Sequence, residues 1–219
     1  MTTVVFDLGG VVVLWDPVPA IAAVVGQARA ELFVHGSEFD FAVWNHAQDS
    51  GRSWADAEAA ATASHPELAE EIAAYRPNFA LSLRGLVPGT AGILRALHDR
   101  GVRLVALTNW SVETIHHGPE VFPEVFGLFD DIVVSGAECV AKPDREIFQI
   151  LARRLAHPIG GVFYVDDNLR NVDAARAAGM DAVRFTDAAT LLGELQGRGL
   201  LDGLGHHPNS GRGAGGIRG

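Results

Sequence analysis

The chain has 219 residues, 48% of them hydrophobic, which suffices for a globular domain with an insertion and excludes an intrinsically disordered chain. Its formal net charge of −10 at pH 7 argues against nucleic-acid binding, because that function needs a basic surface. A basic N-terminal segment and an apolar run of about 18 residues are both missing, so neither a signal peptide nor a membrane helix is predicted, and a cytoplasmic location is expected.

The first predicted element is a buried strand over residues 4–6, which runs into Asp7 and then into Gly9 and Gly10. A run of Val and Phe followed by Gly-Gly is typical of a strand that meets a tight turn, where glycine lets the backbone approach a ligand. A carboxylate in such a run is costly unless it is paired or holds a metal. Asp7 is therefore expected at the carboxyl end of the strand, where open α/β sheets bind ligands. A turn-capping role is the alternative.

The next stretch, residues 17–83, contains no convincing strand and predicts an inserted block of helices. Ser53 and Asp56 have the spacing of a capping box, and Pro66 suits the first turn of a helix. The helices are expected over residues 18–28, 38–46, 53–63 and 66–81.

From residue 85 onwards, strands and helices alternate through short loops, which predicts an α/β fold with a parallel sheet and helices on both faces. The single cysteine, Cys139, excludes an internal disulfide and is interpreted as a packed thiol. The Gly-rich residues 203–219 predict a flexible tail. Strands are expected over residues 102–107, 131–134, 162–165 and 181–185, and helices over residues 90–100, 143–156 and 169–178, with a short helical region after residue 111.

Four of the predicted strands lead into polar residues. Because the carboxyl ends of parallel strands lie at one edge of a sheet, these polar groups can converge there. Each group alone could be a helix cap or a solvated charge, but their joint placement at successive strand ends is much harder to obtain by chance. The groups are Asp7, Thr108-Asn109, Lys142-Pro143 and Asp166-Asp167.

Lys142 differs from the other cations because it is the single lysine of a chain with sixteen arginines. Lysine provides a compact point charge with rotatable donors, which the planar guanidinium of arginine does not. Such a cation suits a site that combines several carboxylates with a phosphate.

In this order, the four groups resemble the four sequence motifs of the haloacid dehalogenase (HAD) superfamily. The first motif, Asp7-Leu8-Gly9, is most similar to that of a phosphatase subgroup that includes sugar-1-phosphate phosphatases. The resemblance covers residues 3–185, and the helical block falls where this family inserts its cap. The implied units are a three-layer Rossmann-like core over residues 1–14 and 85–202 and a helical cap over residues 15–84.

The resemblance implies a role for each group in phosphoryl transfer. Asp7 would be the nucleophile that forms an aspartyl-phosphate, and Lys142 would neutralise the phosphate and hold Asp7. Thr108 would donate a hydrogen bond to the phosphoryl oxygens. Backbone N–H groups would assist it, those of Leu8, Gly9 and Asn109.

The resemblance also implies Mg²⁺ as the cofactor. Mg²⁺ in proteins commonly uses one or two carboxylates together with substrate phosphate and water. The implied ligands are Asp7, the carbonyl of Gly9 and Asp166, with Asp167 beside the metal or Lys142.

The sequence departs from the phosphatase pattern at Gly9. Most HAD phosphatases have an Asp at this position, two residues after the nucleophile, and a positioned acid/base contributes about 10²–10⁴-fold. Either another group supplies the proton, or the substrate has an easily displaced leaving group such as a sugar anomeric oxygen. The candidate proton donors are Asp16, His46, Asp49, His116 and His117.

A third explanation is that the chain is not a phosphatase. The 2-haloacid dehalogenases also lack the second Asp and need no metal, and a catalytically silent HAD domain could act as a binding module. The pair of Asp166 and Asp167 disfavours a dehalogenase, in which nothing would neutralise these extra charges. Retention of all the charged groups disfavours a silent domain. A Mg²⁺-dependent phosphatase is therefore the favoured function.

The cap and hinge are expected to select the substrate. Aromatic faces together with Asn, Gln and Arg suit a small phosphorylated metabolite such as a sugar phosphate, although the tryptophans could instead pack the cap while Arg52 is solvated. The protein is expected to be a monomer or homodimer without nucleic-acid or membrane partners. The candidate substrate contacts are Trp15, Trp44, Asn45, Asp49, Arg52 and Trp110.

Overall fold

The structure is a computed structural model that describes residues 2–201. Its strands form two sheets. The larger sheet has five parallel strands and confirms the predicted α/β fold; residues 203–219, predicted as a tail, lie outside the described residues. The strands are β1 (Thr3–Phe6), β2 (Val13–Trp15), β3 (Leu83–Leu86), β4 (Arg103–Thr108), β5 (Asp131–Val134), β6 (Phe163–Asp166) and β7 (Asp181–Arg184).

The strand order of the larger sheet is β5-β4-β1-β6-β7, which places β1 at its centre. Phe6 at the end of β1 is in register with Ala106 of β4 and with Val165 of β6. The residue after Phe6 is Asp7, whose backbone N–H donates a hydrogen bond to the carbonyl of Val165 over 2.8 Å. Asp7 therefore lies at the sheet edge where the chain leaves β4 and β6.

Helices on both faces of this sheet complete three layers. Along β1, alternate side chains point to opposite faces, so Val5 packs with the helix residue Ile147 while Phe6 belongs to the cluster that contains Leu94. The helices are α1 (Val18–Val25), α2 (Gln27–His35), α3 (Phe41–Asp49), α4 (Trp54–Ser64), α5 (Ala69–Tyr75), α6 (Thr90–His98), α7 (His117–Val121), α8 (Pro123–Phe126), α9 (Ser135–Glu138), α10 (Arg145–Leu155), α11 (Leu169–Ala177) and α12 (Ala188–Gly197). Across residues 2–201, none of these helices has the length and apolar character needed to cross a bilayer.

The inserted helices, α1 to α5, are joined to the core by a two-stranded antiparallel ribbon that the sequence does not predict. In this ribbon Val13 pairs with Leu86 and Leu14 pairs with Gly85. Its strands have three and four residues, too few to show a clear two-residue alternation. The boundaries predicted after residues 14 and 84 fall within this ribbon.

Two of the predicted helices are interrupted. The helix predicted over residues 18–28 is divided into α1 and α2 at Gly26, whose φ of 82° is incompatible with helical backbone. The helix predicted over residues 66–81 is α5 with a 3-10 segment on either side, and Pro77 in the second segment lacks the N–H that an α-helix would use.

The capping interaction predicted at the start of α4 is confirmed, because the Asp56 N–H donates to Ser53 Oγ over 3.1 Å. The prediction for Cys139 is wrong. Its side chain is exposed, since it follows the four-residue α9 in left-handed backbone with φ of 56° and Sγ lies near Gly51 in the loop after α3.

Candidate active site

The side chain of Lys142 is only 1% exposed and contacts the side chains of two other predicted groups, Asp7 and Asp166. Its Nζ lies 2.9 Å from Asp7 Oδ1 and 2.8 Å from Asp166 Oδ2, and it also donates to the carbonyl of Leu107 over 2.8 Å. Burial lowers the pKa of Lys142, but the charges of Asp7 and Asp166 outweigh this effect and hold the pKa above its usual value. A cationic ammonium group therefore bridges β1, β4 and β6 beneath the strand ends.

The loop that carries Lys142 is fixed by the side chain of Asn109. The Lys142 N–H donates to Asn109 Oδ1 over 2.8 Å, and Asn109 Nδ2 donates to the Lys142 carbonyl over 2.9 Å. The side chain of Asn109 thus positions the lysine loop against the end of β4. Its predicted contribution to phosphate binding rests on its backbone N–H alone.

Asp166 is the most fully bonded carboxylate of the site. Besides Lys142, it accepts hydrogen bonds from the Tyr164 hydroxyl, from the Asn168 N–H and, at 3.1 Å to both oxygens, from Asn171 Nδ2. Burial raises its pKa, but Lys142 and these donors outweigh burial and leave the pKa below its usual value. Asp166 is therefore held as an oriented carboxylate.

Asp7 is buried and oriented by two donors on the same oxygen. Oδ1 accepts from the Leu8 N–H over 2.7 Å and contacts Lys142 Nζ. Burial raises the pKa of Asp7 to about 8, with Lys142 acting in the opposite direction and the charge of Asp166 adding to the rise. A positive charge placed beside Asp7 would favour its ionised form.

The carboxylates of Asp7, Asp166 and Asp167 form a group in which one oxygen from each residue lies within 4.8 Å of one oxygen from each of the others. When they are ionised, three negative charges face the single positive charge of Lys142. Burial raises the pKa of Asp167, the charge of Asp166 adds to the rise, and the charge of Lys142 opposes it. Oxygen ligands with an excess of two negative charges fit Mg²⁺.

The turn after β1 approaches Asp167 so closely that only glycine fits at Gly10. A Cβ there would lie 2.2 Å from Asp167 Oδ2, and the φ of 73° disfavours any other residue. Gly9 differs, because a Cβ built on it meets no atom within 4 Å and its φ is not in the left-handed range.

We expect Gly10→Ala to destabilise the fold by about 1–3 kcal/mol and to weaken metal-dependent activity, because Asp167 must move. Gly9→Ala is the matched control and should melt close to the native protein. Thermal unfolding and activity titrated with Mg²⁺ measure both effects. Equal melting temperatures for the two variants would contradict the close approach of Gly10 to Asp167.

A cavity of about 380 Å³ lies between the strand ends and the inserted helices, within the size range of small-molecule sites. The core lines it from below and the ribbon and inserted helices line it from above. The lining residues are Gly9, Gly10, Val13, Leu14, Trp15, Asn45, Asp49, Trp54, Tyr75, Phe79, Leu83, Thr108, Asn109, Trp110, Thr114 and Asp167.

Of the six candidate substrate contacts, four line this cavity: Trp15, Asn45, Asp49 and Trp110. The other two lie outside it. Trp44 is buried among cap aromatic rings and its Nε1 donates to the Ala57 carbonyl over 3.2 Å. Arg52 is exposed and its guanidinium donates to Gln48 Oε1 and to the Trp44 carbonyl. Trp44 thus packs among the inserted helices and Arg52 is exposed, as the alternative prediction has it, although Arg52 also bonds to α3.

Three aromatic lining residues were not singled out from the sequence, namely Trp54, Tyr75 and Phe79. Their helical context makes them indistinguishable from core aromatics, and they do pack in the aromatic cluster of the cap. Trp54 also makes a polar contact: its Nε1 donates a hydrogen bond to Ser111 Oγ over 3.0 Å, which joins the cap to the core.

Among the five candidate proton donors, Asp49 is the one that lines the cavity. Asp16 Oδ1 accepts a hydrogen bond from the Val18 N–H over 3.0 Å, just before α1. His46 is exposed on α3. His116 and His117 lie at the start of α7, where His117 Nδ1 contacts Glu120 and its ring stacks on Phe79.

The carboxyl edge of the five-stranded parallel sheet carries a buried lysine and three carboxylates, an arrangement typical of one class of hydrolases. The family model for haloacid dehalogenase-like hydrolases matches residues 1–179. The chain therefore belongs to this family, and it is an enzyme of the hydrolase class.

One curated relative is sesquiterpene phosphatase astK of Aspergillus oryzae (strain ATCC 42149 / RIB 40). It is 28% identical over 200 residues, which are 88% of this chain and 93% of the relative. A second similarity, to drimenol cyclase drtB of Aspergillus calidoustus, is 43% identical over 58 residues and covers 26% of this chain and 11% of that protein.

Solved structures share the fold. A HAD-family enzyme from Bacteroides thetaiotaomicron, in complex with magnesium and inorganic phosphate, superposes with a TM-score of 0.62 at 18% identity and covers 85% of this chain and 95% of its own. L-2-haloacid dehalogenase from Xanthobacter autotrophicus superposes with a TM-score of 0.55 at 20% identity, covering 90% and 83%. Since a phosphate-binding enzyme and a dehalogenase both match, the fold alone does not choose between the two reactions.

Proposed function

We propose that this hydrolase is a Mg²⁺-dependent phosphatase that acts on a small phosphomonoester through an aspartyl-phosphate on Asp7. The observation that carries the proposal is the group of three carboxylates around one buried lysine, which adjoins the floor of the cavity through Asp167 and the Gly9-Gly10 turn. The similarity to a curated phosphatase along most of the chain supports it.

The residues of the site divide the work of phosphoryl transfer. Asp7 attacks phosphorus with a carboxylate oxygen, the bond from phosphorus to the substrate oxygen breaks, and water then attacks the aspartyl-phosphate to release phosphate and regenerate Asp7. Lys142 offsets the negative charge near Asp7, and Thr108 lines the cavity where phosphoryl oxygens would lie. Mg²⁺, held by Asp7, Asp166, the Gly9 carbonyl and Asp167, would add the charge neutralisation that phosphoryl transfer requires.

The runner-up, a 2-haloacid dehalogenase, fits the site less well. A nucleophilic carboxylate that displaces halide gains nothing from two further carboxylates, and Asp166 and Asp167 lie beside Asp7 with a single cation between them. Such excess charge would disfavour an anionic haloacid. A silent binding module is disfavoured because the carboxylate group adjoins an open cavity through Asp167 and the Gly9-Gly10 turn.

The lining of the cavity favours an apolar organic group over a sugar. Most of the wall that faces the strand ends is aromatic or aliphatic, with Trp15, Phe79 and Leu83 among its members, while Asn45 and Asp49 are the polar side chains contributed by the inserted helices. The curated relative named a sesquiterpene phosphatase supports the same choice. We infer an aliphatic or isoprenoid alcohol phosphate as the substrate class, in place of the sugar phosphate suggested by the first motif.

We expect kcat/KM for straight-chain alkyl phosphates to rise by about fourfold for each added methylene until the cavity is filled, because each buried methylene contributes about 0.8 kcal/mol. The test measures kcat/KM for a panel of substrates, each with and without Mg²⁺. The panel contains alkyl phosphates, a sesquiterpenyl monophosphate, glucose 1-phosphate, glucose 6-phosphate and 2-chloropropionate.

A preference for either glucose phosphate would refute the apolar substrate class while leaving the phosphatase intact. In that case, the ratio of kcat/KM for glucose 1-phosphate to kcat/KM for glucose 6-phosphate reports how much leaving-group activation the site lacks. Halide release from 2-chloropropionate in excess chelator would replace the phosphatase with the runner-up.

A further inference from the structure

The site has no acid where related phosphatases have one, because position 9 is glycine. Space is open there, since a Cβ on Gly9 would meet no atom within 4 Å, and the same cavity is bounded on its other side by Asp49. Within residues 2–201, the carboxylates that line this cavity are Asp49 and Asp167. Asp167 belongs to the group that fits the metal, which leaves Asp49 without an assigned role.

The surroundings of Asp49 suit a carboxyl group that exchanges a proton. Asn45 Nδ2 donates to Asp49 Oδ2 over 3.2 Å, and no cation pairs with Asp49 among the ion pairs of the described chain. Burial raises the pKa of Asp49 to about 7, and a hydrogen bond from the Ser111 backbone opposes the rise. The groups facing it from other elements are the Tyr75 hydroxyl of α5, whose own pKa is raised by burial and then by the charge of Asp49, and, across the cavity, Asp167.

The position of Asp49 relative to the sheet is fixed by the core. Its carbonyl accepts a hydrogen bond from the Ser135 hydroxyl over 2.5 Å, and Ser135 Oγ in turn accepts a hydrogen bond from the Trp110 N–H over 3.0 Å. Ser135 follows β5 and Trp110 follows Asn109, so these bonds connect the end of α3 to the strand ends. The Asp49 backbone is therefore held against the strand ends, and its side chain lines the roof of the same cavity whose floor includes the Gly9-Gly10 turn that follows Asp7.

We propose that Asp49 is the general acid and base of this enzyme and replaces the Asp that position 9 lacks; this inference rests on the proposed phosphatase function. When Asp7 attacks phosphorus and the bond to the substrate oxygen breaks, the Asp49 carboxyl gives its proton to that oxygen, so the product leaves as an alcohol. The Asp49 carboxylate then takes a proton from the water that attacks the aspartyl-phosphate. Phosphate is released, and Asp49 is protonated for the next turnover.

Asp49→Asn tests this role because its effect depends on the leaving group. Octyl phosphate releases a basic alkoxide, so kcat/KM should fall about 10²–10⁴-fold, whereas p-nitrophenyl phosphate releases a stable phenolate and should lose less than about tenfold. The retained p-nitrophenyl activity shows that the variant is folded. Because water attack also lacks its base, the variant should show a burst of nitrophenolate stoichiometric with the enzyme.

The pH dependence provides a second readout. In the native enzyme the ratio of kcat/KM for octyl phosphate to that for p-nitrophenyl phosphate should fall as the pH rises above about 7, where Asp49 loses its proton. The two esters ionise over different pH ranges, because the nitrophenyl group lowers the second pKa of its phosphate, and Asp49→Asn shows the effect of these substrate ionisations alone. The native ratio divided by the Asp49→Asn ratio should therefore fall above about pH 7, and a quotient that does not change with pH would contradict the role of Asp49.

Rescue and control variants complete the test. Adding Gly9→Asp to Asp49→Asn places a carboxyl in open space and should restore octyl phosphate hydrolysis by at least about tenfold. His46→Gln, on the exposed face of the same helix, should match the native enzyme. If Asp49→Asn lowered kcat/KM equally for octyl phosphate and for p-nitrophenyl phosphate, Asp49 would not be the general acid and base. The proposed phosphatase function would still stand. Hydrolysis of neither ester by the native protein with Mg²⁺ would overturn the proposed function, and this inference with it.

Discussion

Asp7→Asn is expected to abolish phosphate release, with a loss on the order of 10⁴-fold or more, because an amide cannot form the phosphorylated intermediate. The fold should persist, since asparagine has the same shape and can accept the bonds from the Leu8 N–H and Lys142. Lys142 also keeps its contact with Asp166. Steady-state phosphate release and thermal unfolding, measured on the same preparation, check both expectations.

The matched control is Asp16→Asn, the same chemical change a few residues further along the chain. Asp16 lies outside the cavity lining, and the amide oxygen of asparagine can accept the hydrogen bond that Asp16 accepts from the Val18 N–H. This variant should keep near-native activity. If Asp7→Asn retained a comparable rate in the presence of Mg²⁺, Asp7 would not be the nucleophile.

Removal of divalent cations is expected to stop turnover, and added Mg²⁺ should restore it. Without the cation, Asp7, Asp166 and Asp167 repel one another and the transferring phosphate. Asp167→Asn should raise the Mg²⁺ concentration needed for half-maximal activity by about tenfold or more, because one of few carboxylates is lost. Activity titrations from chelated enzyme measure this concentration.

Asp166→Ala is a less informative variant for the metal. It would leave Lys142, the Tyr164 hydroxyl and Asn171 without their shared acceptor, and breaking a buried ion pair costs about 3–5 kcal/mol. Loss of activity in this variant would therefore mix unfolding with metal loss. Full activity of the native protein in excess chelator would contradict the metal site, whichever variant is examined.

The floor of the site could be predicted because its residues occupy sequence positions that the fold constrains. Asp7, Thr108 and Asp166 all end parallel strands, so their convergence follows once the sheet is recognised. Lys142 was identifiable as the single lysine. The partners that orient Asp166 were not predictable, because Tyr164 and Asn171 reach it through side-chain directions that no local pattern encodes.

The roof of the site was predicted less well. Polarity between two cap helices predicted both Asp49 and Arg52 as candidates, but the structure separates them. Asp49 lines the cavity, whereas Arg52, in the loop after α3, bonds back to Gln48 and Trp44 of that helix. The sequence is equally ambiguous about whether a given tryptophan contacts the substrate or packs the cap. Trp15 lines the cavity and Trp44 packs the cap, although both are tryptophans beside polar residues.

Detection of the covalent intermediate tests the central claim most directly. Enzyme mixed with an alkyl phosphate and Mg²⁺ is quenched in acid, treated with borohydride to reduce any acyl phosphate to an alcohol, and mapped by peptide mass spectrometry. The account predicts reduction at Asp7, absent without substrate. Turnover with a reduced carboxyl at any other residue, or with none at Asp7 even in Asp49→Asn given p-nitrophenyl phosphate, would contradict it.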